Sequence, residues 1–154
     1  MEILKADIDD AATILNIQKS AFLSEAIRYN DYTIPPLQQT LAELKQDFSR
    51  QTFLKAVVNS TTVGSIRGFK RGSSCYISRL IVLPEFQGNG IGGELLLQIE
   101  KCFSNTYRFE LFTGAQSNEN LSLYQKNGYQ PFNSKPLNEN IIFIYLEKII
   151  KQTA

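Results

Sequence analysis

Four glycines lie close together in the middle of the chain, between an apolar run at residues 80–82 and a segment with helical spacing. They are Gly88, Gly90, Gly92 and Gly93. Because glycine lacks a Cβ, its backbone adopts left-handed φ values and lets a ligand approach the amide groups. The first N–H groups of the helix that follows have no internal partners and favour a bound anion. The pattern therefore predicts a turn that binds the pyrophosphate of a phosphate-bearing cofactor.

These glycines also match the dinucleotide-binding fingerprint Gly-x-Gly-x-x-Gly, at Gly88, Gly90 and Gly93. That fingerprint follows the first strand of a βαβ unit, and an acidic residue ends the next strand. Here the turn comes after half of the chain, and the next apolar run, residues 108–114, ends in Thr-Gly with Glu110 inside it. No Gly-Lys-Ser/Thr of a P-loop follows the glycines. A nucleotide-dependent oxidoreductase is therefore ranked last of the three candidate functions that the sequence suggests.

Two ordered motifs resemble those of the GNAT superfamily of acetyl-CoA-dependent N-acetyltransferases. The first is the family's cofactor motif Gln/Arg-x-x-Gly-x-Gly/Ala, which residues 87–92 match. The second is the signature Leu-Tyr-x-Lys-x-Gly-Phe/Tyr, which residues 123–129 match at the customary distance downstream. The resemblance is strong over residues 75–131. In the N-terminal third, where family members differ in substrate, it rests on the layout alone.

The resemblance implies that acetyl-CoA is the cosubstrate and that its pantetheine arm lies between two strands that splay apart. The strand before the glycines would offer its free backbone edge to the pantetheine amides, as a sheet edge does in β-augmentation. The residues expected to bind the cofactor belong to this strand, to the glycine turn and to the second motif: Leu80, Ile81, Val82, Gln87, Gly88, Asn89, Gly90, Ile91, Gly92, Asn120 and Lys126.

Tyr124 is the residue expected to be catalytic. It lies four residues after Asn120, so that both are on one face of a short helix, with Ser117 one turn earlier. The resemblance implies that the Tyr124 hydroxyl lies near the cofactor sulfur and protonates the departing thiolate. A phenol with a reference pKa of about 10 is protonated at neutral pH and can serve as this acid.

The sequence leaves the general base open. Many family members have a glutamate on the strand that leads to the glycine motif, whereas residues 75–79 contain no carboxylate. Glu25 and Asp31 could act through water, and Glu110 could approach from the neighbouring strand. Three aromatic residues could line an acceptor pocket near the first two carboxylates: Phe22, Tyr29 and Tyr32.

Composition narrows the other classes of function. The length of 154 residues suits a single domain over residues 1–154, and 16 basic against 15 acidic side chains give a net charge of +1. Neither a nucleic-acid nor a membrane partner is expected, since no basic excess exists and no apolar run approaches ~18 residues. Without histidine, and with only Cys75 and Cys102, no metal site or disulfide framework is expected. A cytoplasmic location is the default expectation.

Periodicity and turn residues predict the elements that must position these residues. Asp7 is expected to cap a first helix that reaches the mid-twenties, with Asp10 three residues on. A connection over residues 26–36, which contains two prolines, and a helix over residues 37–44 should follow. The last predicted helix covers residues 118–126. Strands are predicted at residues 3–6, 53–58, 63–69, 76–82, 108–111 and 141–146.

The three central strands, split by short polar turns, predict an antiparallel meander, and a crossover helix then predicts a parallel pair. The pattern therefore predicts an α/β fold with a mixed sheet and helices on both faces. It agrees with the fold that the resemblance implies, a GNAT-like, mostly antiparallel sheet with splayed central strands.

These features together predict an enzyme that moves the acetyl group of acetyl-CoA directly to a primary amine, without a covalent enzyme intermediate. A small-molecule amine is favoured over a protein or peptide amine, and a homodimer is left open. The competing class is a non-catalytic acyl-CoA sensor on the same fold. A sensor would keep the turn at residues 87–92 but would need no acid at Tyr124.

Overall fold

A computed structural model describes residues 1–150, which form a seven-stranded sheet with helices on both faces. The strands are β1 (Glu2–Lys5), β2 (Thr52–Val58), β3 (Thr61–Arg71), β4 (Ser74–Val82), β5 (Arg108–Gly114), β6 (Gln130–Pro136) and β7 (Ile142–Ile149). The helices are α1 (Ala11–Tyr29), α2 (Pro35–Gln38), α3 (Leu41–Asp47), α4 (Ile91–Lys101) and α5 (Asn118–Lys126). Within residues 1–150, no helix has the length and apolar character needed to cross a membrane.

The two faces of the sheet are covered by different helices. Side chains alternate between faces along a strand, and on β2 the neighbours Phe53 and Leu54 belong to different cores. Phe53 packs in the core with Ile14 of α1 and Leu44 of α3. Leu54 packs in the core that contains Leu95 of α4. The helices α1 and α3 therefore lie opposite α4, and the predicted mixed architecture is confirmed.

The strand order is β1-β2-β3-β4-β5-β7-β6, and every neighbouring pair is antiparallel except β4 and β5. The chain passes between these two through the crossover helix α4, which is the connection that parallel pairing requires. Their pairing covers only Ser74–Tyr76 against Arg108–Glu110. Beyond this short paired segment, β4 continues to pair with β3 and β5 continues to pair with β7, so β4 and β5 separate. The predicted splay of the central strands is therefore confirmed.

A bulge interrupts β4 just before the splayed edge ends. Ser65 of β3 pairs with Ile81 and Arg67 pairs with Ser78, so β4 carries one extra residue between these pairs. Arg79 lies in this bulge with a left-handed φ of 53°. The bulge changes the direction in which the residues before the glycine turn point.

The N-terminal elements correct two of the sequence predictions. Asp7 and Asp10 form the expected capping box, but it caps a short 3₁₀ turn that leads into α1. The helix α1 then continues to Tyr29 and ends at Asn30, which has a φ of 50°. The helix continues past its predicted end because Ala26 and Tyr29 are buried, and their packing extends its apolar face.

The prolines begin a helix instead of lying in a connection, because Pro35 occupies the first position of α2, where its missing N–H is tolerated. The predicted helix over residues 37–44 is split, since Thr40 caps α3 together with Glu43. The strand β6 was not predicted. All of its residues are exposed, and with Pro131 and Pro136 it lacks the alternating apolar pattern that marks a strand.

Candidate functional site

The glycine turn has the backbone geometry that its sequence predicts. Gly88 and Gly90 both have a φ of 81°, and Gly90 is the N-cap of α4. A Cβ built on either residue would meet no atom within 4 Å, so both glycines face open space. Gly92 and Gly93 lie in the first turn of α4, where a Cβ would contact only side-chain atoms of Leu123 and Leu80. The left-handed φ values, rather than crowding, require glycine at the first two positions.

A cleft of about 480 Å³ runs from this turn along the free edge of β4, and we call it the glycine cleft. The strand β4 contributes Leu80, Ile81 and Val82, while α1 contributes Phe22, Glu25 and Arg28 from the other side. The remaining lining includes residues of the turn, of α4 and of α5: Gln87, Gly88, Gly90, Ile91, Gly92, Gly93, Glu119, Asn120 and Leu123.

All of the cofactor-binding residues predicted from the sequence line the glycine cleft except Asn89 and Lys126. The Asn89 side chain donates a hydrogen bond to the carbonyl of Phe86, at 3.1 Å, and so closes the turn. Lys126 is exposed at the end of α5. The Gln87 side chain donates to the Val82 carbonyl at 3.0 Å and ties the turn to the end of β4.

A second cavity, of about 150 Å³, opens beside the glycine cleft, and we call it the aromatic cavity. Four residues line both spaces: Phe22, Glu25, Leu80 and Asn120. The other lining residues come from α1, α2 and the ends of the splayed strands, and from α5 and the start of β7: Tyr29, Ile34, Pro35, Pro36, Ser78, Arg79, Phe112, Thr113, Gly114, Ser117, Tyr124, Ile141 and Phe143. The two spaces therefore join where the strands splay.

Tyr124 lies in the wall of the aromatic cavity and is only 6% exposed. Burial and the negative charge of Glu25 both raise the pKa of its hydroxyl. The phenol therefore stays protonated at neutral pH. One turn earlier on α5, Asn120 Nδ2 donates to Thr113 Oγ1 at 3.2 Å, which fixes the helix against the end of β5.

A directional chain of hydrogen bonds ends at Glu25. The Ser117 hydroxyl donates to Glu25 Oε2 at 2.8 Å, so the Tyr29 hydroxyl, 2.8 Å from Ser117 Oγ, is the donor to that serine. The Gln116 N–H in turn donates to the Tyr29 hydroxyl at 2.8 Å. Tyr29 fits only because residue 114 is glycine, since a Cβ there would lie 2.1 Å from its hydroxyl oxygen. These hydrogen bonds orient the carboxylate of Glu25 at the junction of the glycine cleft and the aromatic cavity.

Of the three carboxylates left open as general base, only Glu25 lines either space. Asp31 accepts hydrogen bonds from Thr33 and Asn138, which lower its pKa and hold it in the loop after α1. Glu110 is paired with Arg108 at 2.7 Å on the sheet. Among the aromatic candidates for an acceptor pocket, Phe22 and Tyr29 line the aromatic cavity, whereas Tyr32 is 54% exposed and does not.

Sequence reasoning missed two arginines of the site. Arg28 lines the glycine cleft, where it pairs with Glu119 at 3.0 Å, and Arg79 lines the aromatic cavity. Arg28 lies one helical turn after Glu25, and that spacing is a signal the sequence offers. The inward direction of Arg79 depends on the bulge of β4, for which the sequence carries no signal.

Neither cysteine lines the glycine cleft or the aromatic cavity. Cys75 is fully buried, and burial raises the pKa of its thiol to about 12. Cys102 is exposed just after α4. In the described part of the chain, no cluster of three or more acidic or cysteine side chains is arranged to hold a metal ion.

Comparison with known families matches residues 25–150 to the acetyltransferase (GNAT) domain. Among solved structures, the PaiA N-acetyltransferase of Thermoplasma acidophilum, in complex with coenzyme A, superposes with a TM-score of 0.80 at 21% identity, over 97% of this chain and 98% of that one. YncA of Salmonella typhimurium, with its cofactor acetyl-CoA, gives 0.76 at 19% identity, over 100% and 96%. The ribosomal-protein-alanine N-acetyltransferase of Brucella melitensis gives 0.75 at 18%, over 97% and 100%. At these identities the similarity shows a shared fold.

Proposed function

The chain belongs to the GNAT acetyltransferase family, and from that premise we propose that it transfers the acetyl group of acetyl-CoA to the nitrogen of a small primary amine. The observation that carries this proposal is the junction of the two spaces. Leu80 of β4 and Glu25 line both spaces there, and Tyr124 lines the adjoining aromatic cavity.

The glycine cleft fits acetyl-CoA in shape and chemistry. Gly88 and Gly90 leave open space beside the N-terminus of α4, where backbone N–H groups and the helix dipole favour the pyrophosphate. The edge of β4 beyond Tyr76 has no partner strand, and it would pair with the amides of the pantetheine arm. Coenzyme A in the Thermoplasma structure and acetyl-CoA in the Salmonella structure support the same cosubstrate.

Glu25 is proposed as the general base. An amine attacks a thioester only as the neutral species, so the ammonium ion that predominates at neutral pH must first lose a proton. Glu25 lines both spaces, and its carboxylate is oriented by Ser117 at 2.8 Å, so it can accept this proton directly or through one water molecule. The hydrogen bonds from Tyr29 to Ser117 and on to Glu25 keep the acceptor oxygen in place.

Tyr124 is proposed to stabilise the departing sulfur. As the nitrogen–carbon bond forms, the carbon–sulfur bond breaks and negative charge develops on the thiolate. A thiol has a reference pKa of about 8.5, below that of the buried phenol, so a hydrogen bond from Tyr124 to sulfur is favoured over complete transfer of its proton. Glu25 passes the first proton of the ammonium ion to solvent. The attacking nitrogen then loses a second proton as the amide forms, and this proton neutralises the thiolate, so that CoA leaves as the free thiol.

Direct transfer is proposed because no cysteine of the described residues lies in either space. The acceptor is proposed to be a small molecule, since the aromatic cavity holds about 150 Å³, the size of a site that accommodates a molecule such as benzene. A nucleotide-dependent oxidoreductase is not supported. The family match is to an acetyltransferase, and the single parallel strand pair differs from the parallel sheet of dinucleotide-binding folds.

The test is to titrate the protein with acetyl-CoA, CoA and NADH and then to screen an amine panel for release of free thiol. We expect acetyl-CoA to raise the melting temperature and NADH to have no effect. At one hundred times the dissociation constant, the stabilisation is about 2.7 kcal/mol. Acetyl-CoA binding without turnover of any amine would instead favour the sensor, and stabilisation by NADH alone would refute the assignment.

A further inference from the structure

Arg79 places a positive charge in the wall of the aromatic cavity. Its Nη1 atom is buried and has no hydrogen-bond partner among the described residues. It takes part in none of the ion pairs found within residues 1–150. Buried N–H groups in native proteins are almost always hydrogen-bonded, and an unpaired one is costly. An oxygen acceptor supplied by a ligand would remove that cost.

Asp47, whose negative charge acts on both Arg67 and Arg79, is already hydrogen-bonded to other side chains. Asp47 Oδ2 accepts hydrogen bonds from Arg67 Nη1 and from Gln39 Nε2, both at 2.7 Å. The other Arg67 nitrogen, Nη2, donates to Gln18 Oε1. Asp47 is therefore paired with Arg67, and Arg79 has no ion-pair partner within residues 1–150.

The pKa values of the two arginines reflect their burial, and that of Arg67 also reflects the charge of Arg79. Burial and the charge of Arg79 lower the pKa of Arg67 to about 10. Burial also lowers the pKa of Arg79, although Asp47 offsets part of the effect. Both side chains remain cationic at neutral pH. An anion bound at Arg79 would offset the desolvation of Arg79 and its repulsion of Arg67.

The backbone of Arg79 is also held in a conformation that is unfavourable for a residue with a Cβ. Its φ of 53° lies in the left-handed region, which costs a non-glycine residue free energy and is concentrated at functional sites. The bulge that imposes this φ also places Arg79 on the cavity wall next to Ser78 and Leu80. The conformation therefore directs a cation into a cavity that is otherwise mostly apolar.

The same cavity contains one carboxylate, Glu25, which we have proposed as the base for the amine. The other side chains around it include the apolar Phe22, Ile34 and Phe143. A ligand that matches all three features has an amine, an anionic group and a small apolar body. A planar guanidinium is well suited to a carboxylate, since it donates two parallel hydrogen bonds.

We propose that Arg79 binds a carboxylate of the acceptor, so that the substrate is a small amino acid or a similar amine that carries a carboxylate. This inference rests on the proposed function, because it names the acceptor of the same transfer. Arg79 then acts in substrate binding and selection. It takes no part in the movement of protons.

The experiment compares acceptors that differ only in the anionic group. Leucine and phenylalanine are each assayed beside their amides and their decarboxylated amines, and 4-aminobutyrate is assayed beside butylamine. Rates are corrected for the fraction of neutral amine, because the carboxylate alters the pKa of a nearby amine. We expect kcat/KM for at least one carboxylate acceptor to exceed that of its uncharged analogue by about 10- to 100-fold, the effect of hydrogen bonds to a charged group.

Two substitutions and a matched control separate this role from a structural one. Arg79→Gln should remove the preference mainly by raising KM, Arg79→Lys should restore part of it, and neither should weaken acetyl-CoA binding. Arg50→Gln removes one arginine charge from an exposed position outside the cavity and should leave the preference intact. A purely structural Arg79 would instead give a lower melting temperature and an equal loss for charged and uncharged acceptors.

The outcomes distinguish this inference from the proposed function. Equal kcat/KM for carboxylate and uncharged acceptors in the wild type would overturn the role of Arg79 and leave the acetyl transfer standing. If no amine is acetylated, the proposed function fails. Binding of the same amino acids to the CoA-saturated protein then decides whether Arg79 binds a carboxylate. Carboxylate-specific binding that Arg79→Gln abolishes would still support the inference, and its absence would overturn it.

Discussion

Ser117 Oγ donates a hydrogen bond to Glu25 Oε2 across 2.8 Å, although the two residues are 92 positions apart. The bond joins α1 to the start of α5, the helix that carries Tyr124. Both ends of the proposed chemistry, the base and the group that stabilises the leaving sulfur, are therefore positioned by one contact. Tyr29 supports the contact from α1, because its hydroxyl lies 2.8 Å from Ser117 Oγ.

The first prediction is that Glu25→Gln lowers kcat/KM at neutral pH by about 10²-fold or more, within the usual range for loss of general-base catalysis. The amide keeps the size of the side chain but cannot accept the proton of the amine. The deficit should shrink as the pH rises, because a growing fraction of the amine is already neutral. Steady-state assays between neutral pH and the pKa of the amine measure both effects.

Glu110→Gln is the control for this substitution. Glu110 was an alternative base from the sequence, but it pairs with Arg108 on the sheet and lines neither space. We expect its activity to stay close to the wild type. A pH-independent deficit in Glu25→Gln, or a larger loss in Glu110→Gln, would contradict the assignment of Glu25.

The second prediction concerns Gly90→Asp, which adds a carboxylate beside the N-terminus of α4. Two unit charges at ~4 Å repel each other by about 1–4 kcal/mol, so acetyl-CoA should bind about 10-fold more weakly or worse. Gly72→Asp is the matched control, because Gly72 has a φ of 62°, has open space around it, and lies outside the glycine cleft. Calorimetric titration should show weaker binding only for Gly90→Asp. Equal affinities in two folded variants would mean that the turn only starts a helix.

The half of the chain that carries the motifs was predictable in detail because each element there has its own local signal. The sequence prediction for α5, residues 118–126, coincides with the structure. The strand β6 lacked such a signal, because its fully exposed residues carry no pattern of burial. The end of α1 depends on Tyr29 packing against residues far along the chain, and no local pattern records that contact.

Some residues of the candidate site also have a local sequence signal, whereas others are identified only by the fold. The residues of the glycine turn follow from their own spacing, and most of them line the glycine cleft. Selection of Glu25 among three carboxylates required the fold, because only the contact with Ser117 places it at the junction. Arg79 required the register of β3 and β4, since a one-residue bulge decides where its side chain points. Contacts between distant segments and register shifts are properties of the folded chain.

The third prediction is that Gly114→Ala destabilises the protein and disturbs the site together. A Cβ at residue 114 would lie 2.1 Å from the Tyr29 hydroxyl oxygen, so Tyr29 must move and its hydrogen bond with Ser117 must change. Overpacking of this kind costs about 1–3 kcal/mol of unfolding free energy. Urea unfolding measures that cost, and the acetyl-transfer rate should fall as well.

Gly93→Ala provides the comparison for stability. A Cβ at Gly93 makes only an ordinary contact, 3.7 Å from Leu123 Cδ1, and alanine within a helix is favoured over glycine by about 0.5–1 kcal/mol. This variant should therefore be at least as stable as the wild type. Equal stability of Gly114→Ala and Gly93→Ala would show that Tyr29 can move without cost.

The last prediction compares Tyr124→Phe with Tyr129→Phe, two substitutions that each delete the hydroxyl of a buried tyrosine. Tyr129 is 1% exposed and donates a hydrogen bond to Glu100 Oε2 at 2.9 Å, away from both spaces. Its loss should cost about 1.5–3 kcal/mol of unfolding free energy, the usual value for a bond to a charged group. It should change turnover little.

Tyr124→Phe should show the opposite pattern, with little change in stability and a kcat that is lower by about 10²–10³-fold, the usual effect of removing one hydrogen-bond donor to a developing negative charge. Because burial and Glu25 raise the pKa of Tyr124, ionisation of this phenol should cause no loss of rate below pH 10 in the wild type. The deficit of the variant should shrink for an acyl donor with a more acidic leaving thiol, which needs less stabilisation. Single-turnover measurements isolate the chemical step from product release. If kcat under that condition is unchanged in Tyr124→Phe, the hydroxyl does not assist the departure of sulfur, and Tyr124 serves only to pack α5 against the sheet.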